Sequence, residues 1–376
     1  MLRTARPRIL MTADTVGGVW TYALDLVQAL ERRGIDTVLA TMGAPPSAIQ
    51  RRQAARLHGL VLHPSSFKLE WMDQPWPDVE RAGDWLLHLE KRYAPDLVHL
   101  NNYCHGALAW RSPTLMVAHS CVLSWWEAVH GEAAPQSYRV YRSEVRRGLQ
   151  AADRVVAPSQ TMLDALHRHY GPLPPSQVIH NGRDARHYSG GRKQPLVLTV
   201  GRLWDAAKNI EQLMQSAPAL HWPVYLAGEA QHPNGNALNL DKVCSLGQLA
   251  PGPLASWYGR ASIYVFPARY EPFGLSVLEA GLSGCALVLG DIPSLRELWD
   301  GAAVFVPPDD RDALIGAVNA LVADGRRRAG LMRRARTRAR AFTLVRMVDA
   351  YAALYAEMLG RSPAPARRAA TAGGSA

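Results

Sequence analysis

Short apolar runs alternate with longer amphipathic stretches along the chain, and this rhythm predicts repeated strand-then-helix units. Residues 8–12 read as a first buried strand. Residues 19–33 follow as a helix whose apolar positions, Val19, Ala23, Leu26 and Leu30, share one face. The next strand spans residues 37–40. After a loop rich in tryptophan and proline (Trp71, Pro75, Trp76, Pro77), Pro77 opens a helix with the stripe Val79, Ala82, Leu86, Leu89 and Tyr93. Residues 97–100 and 114–118 read as buried strands; the first carries His99 and runs into Asn101-Asn102, and the second ends at His119-Ser120. A polar stretch over 183–194, with Gly190-Gly191, interrupts the rhythm, which restarts at 196–200 and continues with strands at 224–227 and 263–266. A last amphipathic helix over 346–359 carries Met347, Ala350, Tyr351, Leu354 and Met358. The expected organisation is an α/β domain over 1–185, a second over 186–340, a crossing helix within 341–360, and a low-complexity, disordered tail over 361–376.

Composition agrees with that division. A chain of 376 residues is long for a single core, and 48% hydrophobic with 20% charged residues describes a globular protein. Cys104, Cys121, Cys244 and Cys285 stand far apart with no Cys-x-x-Cys pair, so neither a disulfide framework nor a zinc site is indicated, and a reducing cytoplasm fits. The N-terminus shows no signal-peptide core, and no segment reaches the length of a membrane span. The net charge of +10 is regional, because residues 326–340 hold eight arginines. That run carries Leu331, Met332 and alanines without interleaved aromatics, so it reads as a solvated Ala/Arg-rich helix rather than a nucleic-acid arm.

The densest chemistry lies at Tyr270-Glu271-Pro272-Phe273-Gly274-Leu275-Ser276 and on to Glu279. A strand, a Pro/Gly loop and a helix start follow one another here. Unpaired N–H groups at a helix start, reached past a glycine that has no side chain, suit a phosphate or diphosphate. Glu271 lies in the loop, where it meets the reacting group, and Glu279 lies about one turn into the helix, where it can grip a ribose diol. Ordinary α/β packing with two surface glutamates is the competing reading.

The run Glu271 to Leu275 followed by Glu279 resembles the paired-glutamate motif of retaining nucleotide-sugar glycosyltransferases, in particular glycosyltransferase family 4. The resemblance implies that Glu271 approaches the donor sugar, that Glu279 holds the ribose, and that the backbone at Gly274, Leu275 and Ser276 binds the diphosphate. It extends from about Ile9 to about Leu359 through motifs in the family's order. Gly17-Gly18 resembles the N-terminal glycine loop, and His119 stands at the strand end that touches the donor sugar. His180-Asn181-Gly182 resembles the exit from the first domain. Gly201-Arg202 and, six positions on, Lys208, which reads with Asn209 as opening a helix, resemble the cations that stabilise the departing diphosphate, an arginine fork and a lysine point charge. The interval from Arg202 to Lys208 is one residue longer than the family's commonest form, and Ala207 stands where an acid is frequent. Residues 245–249 fall where the base is contacted.

What the resemblance implies is two Rossmann-like domains facing across a cleft, the GT-B architecture, with the nucleotide on the second and the acceptor on the first. The implied reaction is retaining hexosyl transfer from a nucleotide-diphosphate sugar to a sugar, glycoside or lipid-linked acceptor, in polysaccharide or glycoconjugate biosynthesis. No cofactor and no metal are expected, since no paired-aspartate motif accompanies the donor site and Arg202, Lys208 and the helix start supply the positive charge. A nucleotide-sugar epimerase, a phosphorolytic enzyme of the same fold, and a non-catalytic sugar-nucleotide binder are the alternatives. His99 reads as a hydrogen-bonded structural residue. Trp125 and Trp126, with Arg139, Arg142, Arg146, Arg147 and Arg154 on a helix over 138–154, point to peripheral contact with the inner face of a membrane or to a lipid-linked acceptor. The competing reading is a sugar pocket beside a solvated basic face.

Overall fold

The computed structural model describes residues 6–188, 190–230 and 240–360, and the tail expected over 361–376 lies outside the described residues. In chain order the first unit runs β1 (Arg8–Asp14), α1 (Gly18–Glu31), β2 (Asp36–Met42), α2 (Ala48–Ala54), β3 (Leu60–Pro64), α3 (Trp76–Tyr93), β4 (Leu97–Leu100), β5 (Thr114–Val117), α4 (Val122–His130), α5 (Arg139–Ala151), β6 (Arg154–Ala157), α6 (Gln160–Tyr170) and β7 (Ser176–Val178). The second runs β8 (Gln194–Val200), α7 (Ile210–Ser216), β9 (Val224–Ala227), β10 (Cys244–Ser245), α8 (Pro251–Arg260), β11 (Ala261–Phe266), α9 (Leu275–Leu282), β12 (Ala286–Gly290), α10 (Pro293–Trp299), β13 (Ala303–Val306), α11 (Arg311–Ala323), α12 (Gly325–Ala339) and α13 (Leu344–Met358).

Two parallel sheets result, ordered β3-β2-β1-β4-β5-β6-β7 and β10-β9-β8-β11-β12-β13. Helices cover both faces of each, so central strands such as β11 are buried along their whole length. Strand order reverses beside β1 in the first sheet and beside β8 in the second. Loops leaving the strands on either side of a reversal diverge and open a crevice at the carboxyl ends. β1 leads into Gly17-Gly18, β4 into Asn101, β8 into Arg202 and β11 into the Glu271 loop. These four loops therefore arise at the two switch points.

The units are joined twice. The linker after β7 and the turn before α13 cross at a bridge between Arg183 and Thr343, with Arg183 N–H donating to Phe342 O at 3.3 Å and Leu344 N–H to Arg183 O at 3.1 Å. A Cβ on Gly182 would stand 2.3 Å from Thr343 O, so only glycine fits this crossing. Helix α13 then returns to the first unit and buries Leu344, Met347, Val348, Tyr351, Leu354 and Tyr355 in the same core as Ile9, Leu26 and Leu30.

Four sequence expectations change. Helix α2 and edge strand β3 occupy a stretch that has no apolar periodicity; a capping box between Ser47 and Gln50 starts α2, and parallel pairing with β2 holds β3. Arg154, expected on a helix, is the first residue of β6, because α5 stops at Ala151 and Ala152 is extended. Lys208 does not open a helix: it closes a single 3-10 turn, Asn209 adopts φ 54°, and α7 starts at Ile210. The arginine-rich helix α12 is not solvated all round, since Leu331, Ala335 and Ala339 are buried on one side.

Candidate active site

The second unit supplies a charged cradle. Gly274 sits at φ 84°, where a Cβ would press within 3.1 Å of Val277 Cγ2, and this left-handed residue turns the chain sharply from the β11 loop into α9. Glu271 folds back over that turn. Its Oε1 accepts from Gly274 N–H at 3.0 Å and more weakly from Phe273 N–H at 3.4 Å, while its Oε2 lies 3.0 Å from the buried Lys208 ammonium. The N–H groups of Leu275 and Ser276 lie in the first turn of α9, where no carbonyl within the helix can reach them. The buried Tyr264 phenol donates to Val200 O at 3.2 Å.

Behind these groups lies Asp205, 5% exposed, which sequence reasoning passed over. Its Oδ2 is 2.8 Å from Arg202 Nη2 and 3.9 Å from Lys208 Nζ, and its Oδ1 accepts from Ala207 N–H at 3.0 Å. One carboxylate thus holds both cations. Burial works to raise the Asp205 pKa, and the charges of Lys208 and Arg202 outweigh it, so the group titrates below the usual carboxylate range. From the first unit, Trp125 Nε1–H donates to Asp205 Oδ1 at 3.0 Å, so the same residue also registers the apposition of the two units. The signal was present in the sequence: the acid looked for near Ala207 stands two residues earlier, in the loop that is one residue longer.

Across the cleft, Gly17 and Gly18 approach these groups directly. A Cβ built on Gly17, at φ 128°, would lie 3.3 Å from Arg202 Nη1, and one on Gly18 would lie 3.8 Å from Leu275 Cδ1. At the end of β1, Asp14 Oδ1 accepts from Val16 N–H at 2.8 Å. Burial raises the Asp14 pKa to about 6 against the lowering effect of Arg202. Asp14 is a second residue that sequence reasoning passed over, although an acid beside a double glycine at a first strand end marks the place.

His119 donates from Nε2 to Asn101 Oδ1 at 2.7 Å, and Asn101 is oriented by donating its own amide to Thr12 O at 2.6 Å. The His119 ring stands edge-on to Tyr22, 4.5 Å between centroids, and burial pushes its pKa down to about 3, so it is neutral at pH 7. Two residues on, Cys121 N–H donates to the Tyr270 hydroxyl at 2.9 Å, which sets the His119 loop against the residue preceding Glu271. His99 is fully buried and bonded to Tyr355 at 2.6 Å, a structural position.

Glu279 is placed apart from this group. It is 7% exposed, and its Oε1 pairs with Arg183 Nη2 at 2.9 Å; Arg183 also pairs with Asp25 of α1. Burial works against the Arg183 charge, and Glu279 and Asp25 more than offset it. The carboxylate assigned to the ribose is therefore tied to the crossing between the units. The acceptor-side aromatics separate as well: Trp125 faces Asp205, whereas Trp126 stacks on His130, 4.1 Å between centroids.

The arrangement offers fixed cations and helix N–H groups opposite a glycine loop, with a carboxylate and a neutral imidazole at the edge. The family model described as Glycosyltransferase Family 4 matches residues 16–187, and that described as Glycosyl transferases group 1 matches residues 194–324. The chain is a glycosyltransferase. Among its relatives, the glycogen synthase of Mycobacterium tuberculosis (strain ATCC 25618 / H37Rv) is 27% identical over 365 residues, covering 85% of each chain. The D-inositol 3-phosphate glycosyltransferase of Xylanimonas cellulosilytica is 26% identical over 404 residues, covering 93% of each. In structure, the transferase is similar to sucrose-phosphate synthase from Thermosynechococcus elongatus, with a TM-score of 0.79 at 20% identity over 94% of this chain and 100% of that one. It is also similar to Anabaena Alr3699/HepE in complex with UDP and glucose, with a TM-score of 0.73 at 18% identity over 93% and 100%. These likenesses establish the fold of the transferase as the two-unit α/β arrangement of GT-B enzymes.

Proposed function

We propose that the transferase moves a hexosyl group from a nucleotide-diphosphate sugar to a hydroxyl of a sugar, glycoside or lipid-linked acceptor, with retention at the anomeric carbon and without a divalent metal. The observation that carries this reading is the joint placement of Arg202 and Lys208 on Asp205, facing Gly17 and the start of α9. A diphosphate set there meets an arginine fork, a lysine and the free N–H groups of Leu275 and Ser276, and negative charge that develops on the leaving oxygen is stabilised by groups already in position. A relative in complex with UDP and glucose supports a donor of this class.

Glu271 occupies part of that cradle, bonded to Gly274 N–H and Lys208. An arriving diphosphate competes for the same donors, and the carboxylate that yields them turns toward the sugar and supports its developing positive charge. Neutral His119 gives its Nε2 proton to Asn101, which leaves Nδ1 as an acceptor for a sugar hydroxyl. Glu279 holds the ribose once its bond to Arg183 opens or is shared. Among the described residues no helix is long and apolar enough to cross a membrane.

The test is turnover with a panel of nucleotide-diphosphate hexoses and of sugar and glycoside acceptors, followed by anomeric proton NMR with and without chelator. A glycoside with the donor's anomeric configuration, formed at an undiminished rate in chelator, is the expected result. An inverted product overturns retention, and loss in chelator restored by Mg²⁺ or Mn²⁺ overturns metal independence. An epimerised donor, or sugar phosphate formed with free phosphate, replaces transfer by another reaction.

A further inference from the structure

Helix α12 and its C-cap residue Arg340 carry eight arginines between residues 326 and 340 and no acid. Its buried side is formed by Leu331, Ala335 and Ala339, so at 100° per residue Arg326, Arg333 and Arg340, spaced by seven, form a straight ridge on the opposite, exposed side. That ridge is roughly 21 Å long at 1.5 Å per residue. Three of the eight arginines have structural work: Arg334 donates to Gly301 O, Arg338 to Leu298 O, and Arg328 to Leu321 O. Arg326, Arg333 and Arg340 pair with no carboxylate among the described residues. Helix stability does not account for Arg326, which stands in the first turn, where the helix dipole disfavours cations. An exposed face of like charge attracts an anionic surface.

Two further features describe that surface. Five residues beyond the ridge, Val345 is 64% exposed, the most exposed large apolar side chain among the described residues, and Arg346 beside it is exposed. Arg333, Arg334, Thr337 and Arg338 also line an open recess of about 370 Å³ with Asp300, Gly301 and Ala302; its three arginines outnumber the one carboxylate, which lies 3.8 Å from Arg296. The ridge carries no aromatic side chain on which a base could stack, and it is straight. We propose that the α12 ridge is a peripheral docking surface for an anionic lipid bilayer, held by guanidinium contacts to headgroup phosphates and independent of the basic helix α5.

The test is sedimentation of the full chain with vesicles of neutral lipid and of neutral lipid mixed with an anionic phospholipid, at low and high salt. The wild type is expected to bind only the anionic vesicles and to leave them at high salt. Arg326→Gln/Arg333→Gln/Arg340→Gln should lower the partition coefficient on the order of a hundredfold, from three basic residues each contributing about fivefold at the surface. Arg139→Gln/Arg142→Gln/Arg146→Gln on α5 should leave it largely unchanged. Thermal melting and circular dichroism establish that each variant is folded, and the single reversal Arg333→Glu serves if the triple variant is not. The proposal is overturned if the wild type stays in the supernatant, if the α12 variants sediment like the wild type, or if binding is lost only in the α5 variant. Tight binding to duplex DNA that anionic vesicles do not compete away would assign the ridge to nucleic acid instead.

Discussion

The two halves of the cleft are organised by different forces. On the second unit the site is a network of paired full charges, in which Arg202, Asp205, Lys208 and Glu271 are linked through contacts of 2.8–3.9 Å. On the first unit it is a set of groups that burial drives toward neutrality: His119 is held uncharged with a pKa near 3, and Asp14 titrates near 6. These groups are positioned by hydrogen bonds to Asn101 and Val16 and by the edge-on ring of Tyr22. In the proposed reaction the contrast follows from what each side would meet. A diphosphate leaving group requires fixed positive charge, whereas a hydroxylic sugar is best oriented by neutral donors and acceptors that cost little to desolvate.

The largest expected effect sharpens the charged half. Glu271→Gln keeps the shape of the turn but removes the charge, so kcat should fall about 10²–10³-fold, the range for losing one preorganised electrostatic group, with little change in donor affinity. Steady-state kinetics would break the assignment if KM rose and kcat held.

Asp205→Asn comes next. It should lower kcat/KM for the donor by about tenfold to a hundredfold, the worth of one hydrogen bond to a charged group. Trp125→Phe, which removes only the contact between the units, should cost less. If the tryptophan variant is as impaired as the asparagine variant, apposition of the units and not cation placement is what Asp205 supports.

Glu279→Ala should weaken binding of a nucleoside diphosphate about tenfold while sparing kcat, measured by calorimetry. It should also lower the melting temperature, because Arg183 stays buried with only Asp25. A variant with normal donor affinity but reduced stability would assign Glu279 to the crossing between the units alone.

The smallest effect lies on the neutral half. Asp14 has a folded-state pKa of about 6, above its ordinary value of 3.8, so the folded state binds the proton more tightly and stability falls as pH rises between those values. Asp14→Asn should therefore stabilise the protein at pH 7, by on the order of 1 kcal/mol since the carboxyl is partly solvated, and should leave stability at pH 4 nearly unchanged. Urea unfolding at the two pH values measures this. Equal effects at both would mean that Asp14 is not perturbed as described.

Legibility divided along the same line as the chemistry. The charged half was readable because its local requirements are written in consecutive residues: Gly274 for a left-handed turn, Glu271 three residues before it, and Arg202 at the exit of β8. Lys208 was readable as a cation, but its true setting, a 3-10 turn ended by Asn209 at φ 54°, was not, since the longer loop offers several registers. The neutral half was mostly silent. Asn101 owes its role to Thr12 and His119, and Asp14 to burial beside Arg202 of the other unit, and a lone polar residue at a strand end carries no periodic signal.

The amino-acid sequence by itself determined the two-unit α/β plan, because buried strands and one-sided helices must alternate if each sheet is to be covered on both faces, and that alternation is visible as apolar spacing. It also determined where the chain turns sharply into α9, since a glycine at a strand-to-helix turn is a local condition. Only the tertiary structure decided that Asp205 gathers Arg202, Lys208 and Trp125, and that Glu279 is held by Arg183 at the crossing between the units. Those outcomes depend on which surfaces face one another when two separate sheets come together. A buried charge takes the counter-charge that lies within reach in space, whatever its distance along the chain.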